Sequence, residues 1–249
     1  MTICIISTGD ELLRGDIADT NGAWMAARLH ERGHAVSEMR VVGDDLQDLT
    51  AAFEEAFNTH ALVVVGGGLG PTDDDLTACA AARALRTDLE RAPAAEAVVR
   101  GAFERLGRQM NEINLKQADL PRGCRVILND NGTAPGFAVT TPAGRAVFLP
   151  GVPRELRAMF PAAVLDELPG PAEPAHRAVL KCFGRGESDL QAAIKPRTDG
   201  WGPELKLGFR ASFPEIAISV TAADPNRARA ALEELRPLLG RAVFADEEI

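Results

Sequence analysis

Residues 61–77 read ALVVVGGGLGPTDDDLT. A valine-rich run passes without a break into glycines, a proline and three consecutive aspartates. The run is short and apolar throughout, as suits a strand covered on both faces. The glycines let the backbone turn tightly and approach a ligand with no Cβ in the way. Their N–H groups, with those at the start of a following helix, form an anion nest. The acids pull the other way. Near a helix N-terminus each carboxylate gains about 0.3–1 kcal/mol from the helix dipole; that accounts for Asp73, but three are more than capping needs. Two like charges beside a phosphate cradle repel each other and the phosphate. A divalent cation removes the conflict, because hard carboxylate oxygens bind Mg²⁺ or Mn²⁺ and the ion bridges to phosphate. The expectation is that the glycine loop holds phosphate, with Thr72 adding a hydroxyl and capping the next helix. The acids then hold a metal or position the attacking water. The loop is not a Rossmann fingerprint, since Pro71 stands where the third glycine belongs, and no GK[ST] follows to make a Walker A loop.

Upstream, ICIIS (3–7) predicts a buried strand. Residues 20–32 predict a helix capped by Thr20 and closed by Gly33, with Trp24, Met25, Ala27 and Leu29 on a buried stripe. A strand over 34–42 follows, then a helix over 45–58 with Asp44 as its cap and Leu46, Leu49, Phe53 and Phe57 on one face. Strands separated by helices imply a parallel, doubly wound sheet. Ligands bind outside the carboxyl ends of such strands. Ser7-Thr8-Gly9-Asp10-Glu11 should therefore share a site with the glycine loop, although Asp10 and Glu11 also suit a capping role.

Downstream, helices are expected over 76–85, about 93–107 and 111–118. A hairpin-like pair over 137–149 surrounds a Pro-Ala-Gly turn, and a helix follows Pro153. NDNGTAPG (129–136) and LPGVPRE (149–155) read as loops built for close backbone contact, each explicable singly as a turn. LPGPAEPA (168–175) reads as a linker. Beyond it the pattern is strand (177–183), helix (187–194), strand (204–210), strand (215–222), helix (224–236) and strand (241–244), a small α+β module.

The 249 residues are 46% hydrophobic and carry a net charge of −9. With no Lys/Arg tract to neutralise phosphates, nucleic acid is not an expected partner. No apolar run is long enough for a membrane span. The start MTICIISTGDELL lacks the features of a signal peptide, so a cytoplasmic location is expected. Cys4, Cys79, Cys124 and Cys182 are scattered, with no CxxC and no histidine at ligand spacing. That argues for reduced thiols rather than disulfides or zinc. His30, His34, His60 and His176 fall at element boundaries and receive no catalytic role. The absence of a GxSxG elbow argues against nucleophilic acyl chemistry.

Taken in order, STGDELLRGDIADTN, GGLGPTDDDLT, GTAPGF and LPGVPREL resemble the N-terminal domain of the competence/damage-inducible protein A (CinA) family. That domain is similar to the molybdopterin-binding, MoaB/Mog-like fold. The resemblance is strong over about residues 3–165. It implies a three-layer α/β/α sandwich over 1–168 and, through GRGESDLQ (184–191) and PEIAISVTA (214–222), a small α+β KH-like module over 175–249. It also implies a homo-oligomer. Carried over residue by residue, it implies substrate contacts from Ser7, Thr8, Gly9, Asn21, Gly67, Gly68, Leu69, Gly70, Pro71, Thr72, Gly132, Thr133, Ala134, Pro135, Gly136, Gly151 and Pro153. Asp74, Asp75 and Asp44 would be catalytic. Asp74 and Asp75, with Asp10 or Glu155, would hold Mg²⁺, Mn²⁺ or Co²⁺.

The activity so implied is metal-dependent hydrolysis of a nucleotide pyrophosphate such as ADP-ribose. Two alternatives stand beside it: a molybdopterin-binding protein of molybdenum-cofactor biosynthesis, and a non-catalytic nucleotide-binding domain. The module lacks a clear GxxG loop and a basic face, so RNA binding is not carried over. Family members often continue into an amidase domain that deamidates nicotinamide mononucleotide. The present sequence stops at Glu248-Ile249, and deamidase activity is not expected of it.

Overall fold

In the computed structural model the chain divides into two units, Met1–Gly170 and Pro171–Ile249, and residues 1–170 and 176–248 are described. The first unit runs β1 (Ile3–Thr8), α1 (Asp10–Leu13), α2 (Thr20–Glu31), β2 (Glu38–Val42), α3 (Leu46–Thr59), β3 (Leu62–Gly66) and α4 (Thr77–Ala84). It continues through β4 (Leu89–Arg91), α5 (Pro93–Leu106), a 3-10 helix (Glu112–Ala118), β5 (Asp119–Pro121), β6 (Arg125–Ile127), β7 (Gly136–Thr141), β8 (Gly144–Leu149) and α6 (Pro153–Ala163).

The main sheet has six strands in the order β2-β1-β3-β8-β7-β6. β2, β1, β3 and β8 are parallel, while β7 runs antiparallel to β8, and β6 antiparallel to β7. The sheet is thus mixed, with a parallel centre and a hairpin extension. The turn at 141–144 forces this, because a connection so short can only reverse the chain.

Alternation along the central strands builds the three layers. Ile3 and Ile5, Leu62 and Val64, and Val147 and Leu149 pack with Met25, Leu29, Leu156 and Phe160, so α2 and α6 cover one face. Cys4 and Ile6, Val63 and Val65, and Ala146 and Phe148 pack with Leu49, Phe53, Phe57, Ala80 and Val99, so α3, α4 and α5 cover the other. Phe148 is the keystone of that side: it stacks on Phe137 with ring centroids 4.3 Å apart and meets Phe53 edge-on at 5.6 Å.

Several boundaries differ from expectation for local reasons. The strand predicted over 34–42 begins at Glu38, leaving His34 buried outside it. Thr20 does not cap α2: Asp19 does, accepting from the Gly22 N–H at 2.8 Å. Asp44 does not cap α3: Asp45 does, accepting from Gln47 and Asp48. In each pair the carboxylate on the last non-helical residue reaches free N–H groups, three positions on for Asp19 and two and three positions on for Asp45. The three-residue strands β4, β5 and β6 are too short to show a period in sequence.

The second unit contains β9 (His176–Phe183), α7 (Glu187–Thr198), β10 (Lys206–Ser212), β11 (Glu215–Ala222), α8 (Pro225–Leu239) and β12 (Val243–Glu248). Its strands form one antiparallel sheet in the order β10-β11-β9-β12. Leu180, Cys182, Ile218 and Val220 pack against Leu190 and Ile194 of α7 and Leu232 and Leu235 of α8. Of the linker expected at 168–175, residues 171–175 lie outside the described residues, as does the module's expected start at 175.

Candidate active site

The registers Ser7↔Gly66, Gly66↔Leu149 and Phe148↔Phe137 align the ends of β1, β3 and β8 with the beginning of β7. The loops at 7–11, 67–76, 150–152 and 128–136 consequently share one rim. β2 lies on one side of β1 and β3 on the other, with α2 and α3 on opposite faces. That makes the gap between β1 and β3 a topological switch point, the place where open α/β sheets bind ligands.

The glycine loop sits over this gap. Gly67 and Gly68 have φ of 117° and 64°. A Cβ on Gly67 would lie 2.6 Å from the Thr8 hydroxyl, and one on Gly68 would collide with the Thr77 hydroxyl. Both positions therefore require glycine on conformational and steric grounds. The Gly67 N–H donates to the Leu149 carbonyl at 3.0 Å, the Thr77 N–H donates to the Gly68 carbonyl at 3.2 Å, and Leu69 is buried in the core. The N–H groups of Gly68, Leu69 and Gly70 make no hydrogen bond within the described residues. Three successive free donors on a fixed loop are what an anion needs.

The aspartates do not form a helix cap. Thr72 and Asp75 close a turn of their own: Asp75 Oδ2 accepts from the Thr72 N–H at 2.9 Å and from its hydroxyl at 2.5 Å. The Asp75 N–H returns to the Thr72 carbonyl at 3.2 Å, and Lys116 Nζ donates to the same carbonyl. α4 starts at Thr77 with no side-chain cap, so Thr72 does not cap it and Asp73 is not in its first turn. Asp73 and Asp74 stand exposed at the turn's tip. The Thr72 hydroxyl, Asp74's own N–H and the Lys116 ammonium hold the Asp74 carboxyl below the usual range.

Asp44 has a different setting. Its N–H donates to Asp10 Oδ1 and its Oδ2 accepts from the Asp10 N–H, both at 3.0 Å, which locks the loop after β1 to the loop after β2. Burial first, then the negative charges of Asp10, Glu11 and Asp74, raise its pKa against the pull of the Asp10 N–H. The acids at this end of the rim form one negative field.

The other end carries amides. Asn129, 1% exposed, donates from Nδ2 to the Ala134 carbonyl at 2.8 Å and to Glu155 Oε2 at 2.7 Å. Gly132 lies so close to the Glu155 carboxyl that any Cβ would overlap it. Gln117 Nε2 donates to Thr133 Oγ1 at 3.2 Å and toward the Leu69 carbonyl at 3.5 Å. Pro135 and Gly136 are buried at the head of β7.

The ligands expected for one metal do not gather at one point. Asp10 follows β1 and Glu155 follows β8, and β3 lies between, so two strand spacings, roughly 10 Å, separate those loops. Asp75 is occupied in its turn. Among the described residues no three of these acids come together as a cluster of mutually close ligand atoms. The chemically coherent set is Asp44, which feels Asp10, Glu11 and Asp74 together.

Three cavities adjoin the glycine loop and share Gly68; one of about 340 Å³ lies toward Thr133, Gly151 and Glu155. A second, of about 190 Å³, lies toward α2 and takes in Ser7, Thr8, Asn21, Gly151 and Pro153. Asn21 Nδ2 donates to the Gly151 carbonyl at 2.7 Å, and the Ser7 hydroxyl donates to Asp19 at 2.7 Å. The third, of about 240 Å³, is mainly apolar and is bounded by Leu76, Cys79, Leu89 and Leu120 with Asp75 and Gln117. Asn21 Oδ1 and Gln117 Oε1 are buried without a partner. A buried acceptor left open calls for a donor that the protein does not supply.

Asp19, Lys116, Gln117 and Asn129 were not among the residues expected at the site. Asn129 carried a local signal, the Asx-turn pattern of NDN, realised as the Asn131 N–H donating to Asn129 Oδ1 at 3.0 Å. Asp19 is placed by its capping of α2, while Lys116 and Gln117 reach the rim only through tertiary contacts.

Residues 4–170 match the family described as a probable molybdopterin binding domain, and residues 177–245 match the damage-inducible protein CinA KH domain. A CinA-like protein of Anaeromyxobacter sp. (strain Fw109-5) is 40% identical over 253 residues, covering 97% of this chain and 60% of its own length. A CinA-like protein of Citrifermentans bemidjiense is 40% identical over 253 residues, covering 99% and 60%. The crystal structure of a CinA protein from Thermoplasma acidophilum superposes with a TM-score of 0.62 at 35% identity, covering 67% of this chain and 98% of that one. The chain thus spans about 60% of the length of these curated relatives. Among the described residues no helix is long and apolar enough to cross a membrane.

Proposed function

This chain belongs to the CinA family, with a molybdopterin-binding-type domain as its first unit, and from that premise we propose that the rim binds a nucleotide pyrophosphate of the ADP-ribose type and hydrolyses it with a divalent metal. The observation that carries this reading is the arrangement about Gly68: free loop amides between cavities whose walls include Asn21 on one side and Gln117 on the other, each with a buried carboxamide oxygen lacking a partner. A diphosphate linking two hydroxyl-bearing halves matches it part for part. The amides of 68–70 receive the phosphates. Asn21 and Gln117 accept from sugar hydroxyls or a base amino group on either side.

Hard carboxylate oxygens, with Asp44 raised first by burial and then by its acidic neighbours, suit Mg²⁺, Mn²⁺ or Co²⁺. Asp10, Asp44 and Asp74 do not converge on one point, so Asp44 and Asp74 are the acids assigned to such an ion, with its remaining ligands from the substrate phosphates and water. Bound there, the ion supplies charge neutralisation for the phosphates and Lewis-acid activation of the scissile bond. Asp74, its carboxyl held below the usual range, lies exposed at the turn tip. Asp75 fixes the turn, and Asn129 with Glu155 fixes the opposite wall.

The test is incubation of the purified chain with ADP-ribose and each metal, with AMP and ribose 5-phosphate separated by chromatography. Turnover that EDTA abolishes and that Asp74→Asn removes supports the assignment. Absence of turnover with every metal, together with a fluorescent pterin carried through purification, would establish the molybdopterin-binding alternative instead.

A further inference from the structure

At the opposite end of the sheet from the rim, three side chains converge that no part of the pyrophosphate chemistry uses. Cys4 near the start of β1, Glu38 at the start of β2 and His60 just before β3 are distant in sequence but neighbours in the fold; Cys4 and Glu38 are register partners. Cys4 Sγ, a His60 ring nitrogen and a Glu38 carboxylate oxygen all lie within 4.8 Å of one another. Cys4 is 0% exposed and His60 8%. Three points so spaced share a centre at most about 2.8 Å from each, against zinc–ligand lengths of about 2.0–2.3 Å.

The hydrogen bonds around His60 point to a cation. The Thr59 hydroxyl donates its one proton to the Glu55 carbonyl at 2.8 Å. Its contact with His60 Nδ1, also 2.8 Å, must therefore run the other way, with Nδ1–H donating. In the neutral ring Nε2 is then bare, and it faces Glu38 Oε2 at 3.6 Å. A lone pair opposite a carboxylate is relieved by a cation between them, a second ring proton or a metal ion, beside the Arg40 guanidinium that already donates to Glu38 Oε2 at 3.0 Å. The end of α3, for which His60 is the C-cap, adds the negative pole of the helix dipole at the same place. Nδ1 anchored and Nε2 free is also the tautomer by which a histidine binds metal.

We infer that Cys4, Glu38 and His60 form a binding site for a single thiophilic divalent cation of the zinc class, separate from the rim. A cysteine, a histidine and a carboxylate make a three-ligand set with a fourth position left open. Binding releases the Cys4 thiol proton to solvent, and the thiolate and carboxylate together neutralise the ion. Arg40 holds both Glu38 oxygens and also reaches Glu55 Oε2 at 2.6 Å, so it keeps a carboxylate when Glu38 gives up one of its two bonds to the metal. Sulfur sets the selectivity: Mg²⁺ and Mn²⁺, which prefer oxygen, have no means of displacing a thiol proton. The scattered spacing of Cys4 and His60 hides the site in sequence, because only the parallel pairing of β1 with β2 and β3 assembles it.

Cobalt(II) tests this on the full metal-stripped chain, because a thiolate ligand gives it a near-ultraviolet charge-transfer band that oxygen ligands at the rim do not. The expected result is one equivalent producing the band and zinc bleaching it. Cys4→Ser should abolish the band, His60→Gln should weaken binding at least about tenfold, and Cys124→Ser should leave it intact. No band in the wild-type chain, or a band that survives Cys4→Ser, overturns the proposal. Should Cys4→Ser not fold, Glu38→Gln, at a half-buried position, decides it with His60→Gln: a band of unchanged intensity and cobalt affinity in both variants overturns the proposal.

Discussion

The two ends of the rim are built from different chemistry. On the β1–β2 side, Asp10 and Asp44 grip each other's backbone and share a negative field with Glu11 and Asp74. On the β7–β8 side, Asn129 and Gln117 span loops with neutral carboxamides, and Glu155 accepts a hydrogen bond from Asn129. The difference teaches a division of labour. Carboxylates gather at one end, where the proposed cation would be recruited, and carboxamides hold the loops in place at the other.

The sharpest way to break this contrast is to remove charge from one end only. Asp74→Asn should lower the rate of ADP-ribose hydrolysis by at least about 100-fold, with the melting temperature unchanged because the side chain is exposed. Equal activity of mutant and wild type in a chromatographic assay would erase the distinction. Gly68→Ala strikes between the two ends: strain at φ 64° and the clash with Thr77 should cost about 1–3 kcal/mol, read by denaturant titration. Asn129→Leu tests the amide end. It leaves the Ala134 carbonyl and Glu155 without their donor, at about 1–3 kcal/mol for each group left buried. There KM should rise more than kcat falls, in contrast with Asp74→Asn.

The smallest effect is in the pH dependence of stability. The Asp44 carboxyl is raised, chiefly by burial, so the folded state binds its proton more tightly than the unfolded state. Stability from this group therefore falls as pH rises through the window just above its ordinary value, and the deficit persists at neutrality. Asp44→Asn should remove the deficit, giving a melting temperature at pH 7 equal to or above wild type while activity is lost. Glu38 has the opposite sign: the Arg40 hydrogen bond lowers it. Its stabilisation is present above the usual carboxylate value and fades as pH falls through its folded pKa. Melting curves of Asp44→Asn and Glu38→Gln from pH 3 to 7 should diverge accordingly.

Much of this was legible in sequence because it rests on backbone rules. Glycine at 67 and 68 announces positive φ, ALVVV announces a covered strand, and alternating strand and helix announce the switch point that brings residues 7–11 to the loop at 67–72. The failures are equally physical. Asp44 and Asp45 compete for one cap, and only the helix phase shows that Asp45 wins and frees Asp44 for the rim. Three aspartates before a helix look like caps until Thr72 is seen to close a separate turn with Asp75. Gln117 is an ordinary polar residue in a 3-10 segment; its importance lies in a contact with Thr133 that no local pattern encodes. Cys4 and His60 lack any chelating spacing along the chain, since their proximity is a product of strand order.

The bond from the Gly67 N–H to the Leu149 carbonyl, with that from Thr77 to Gly68, ties the loop to both its neighbours before any ligand arrives. A cradle stapled in this way has no flap to shut. Capture should proceed at a rate set by diffusion and ionic strength, with little ordering entropy lost, and transient kinetics should show a single binding phase with no slow isomerisation behind it.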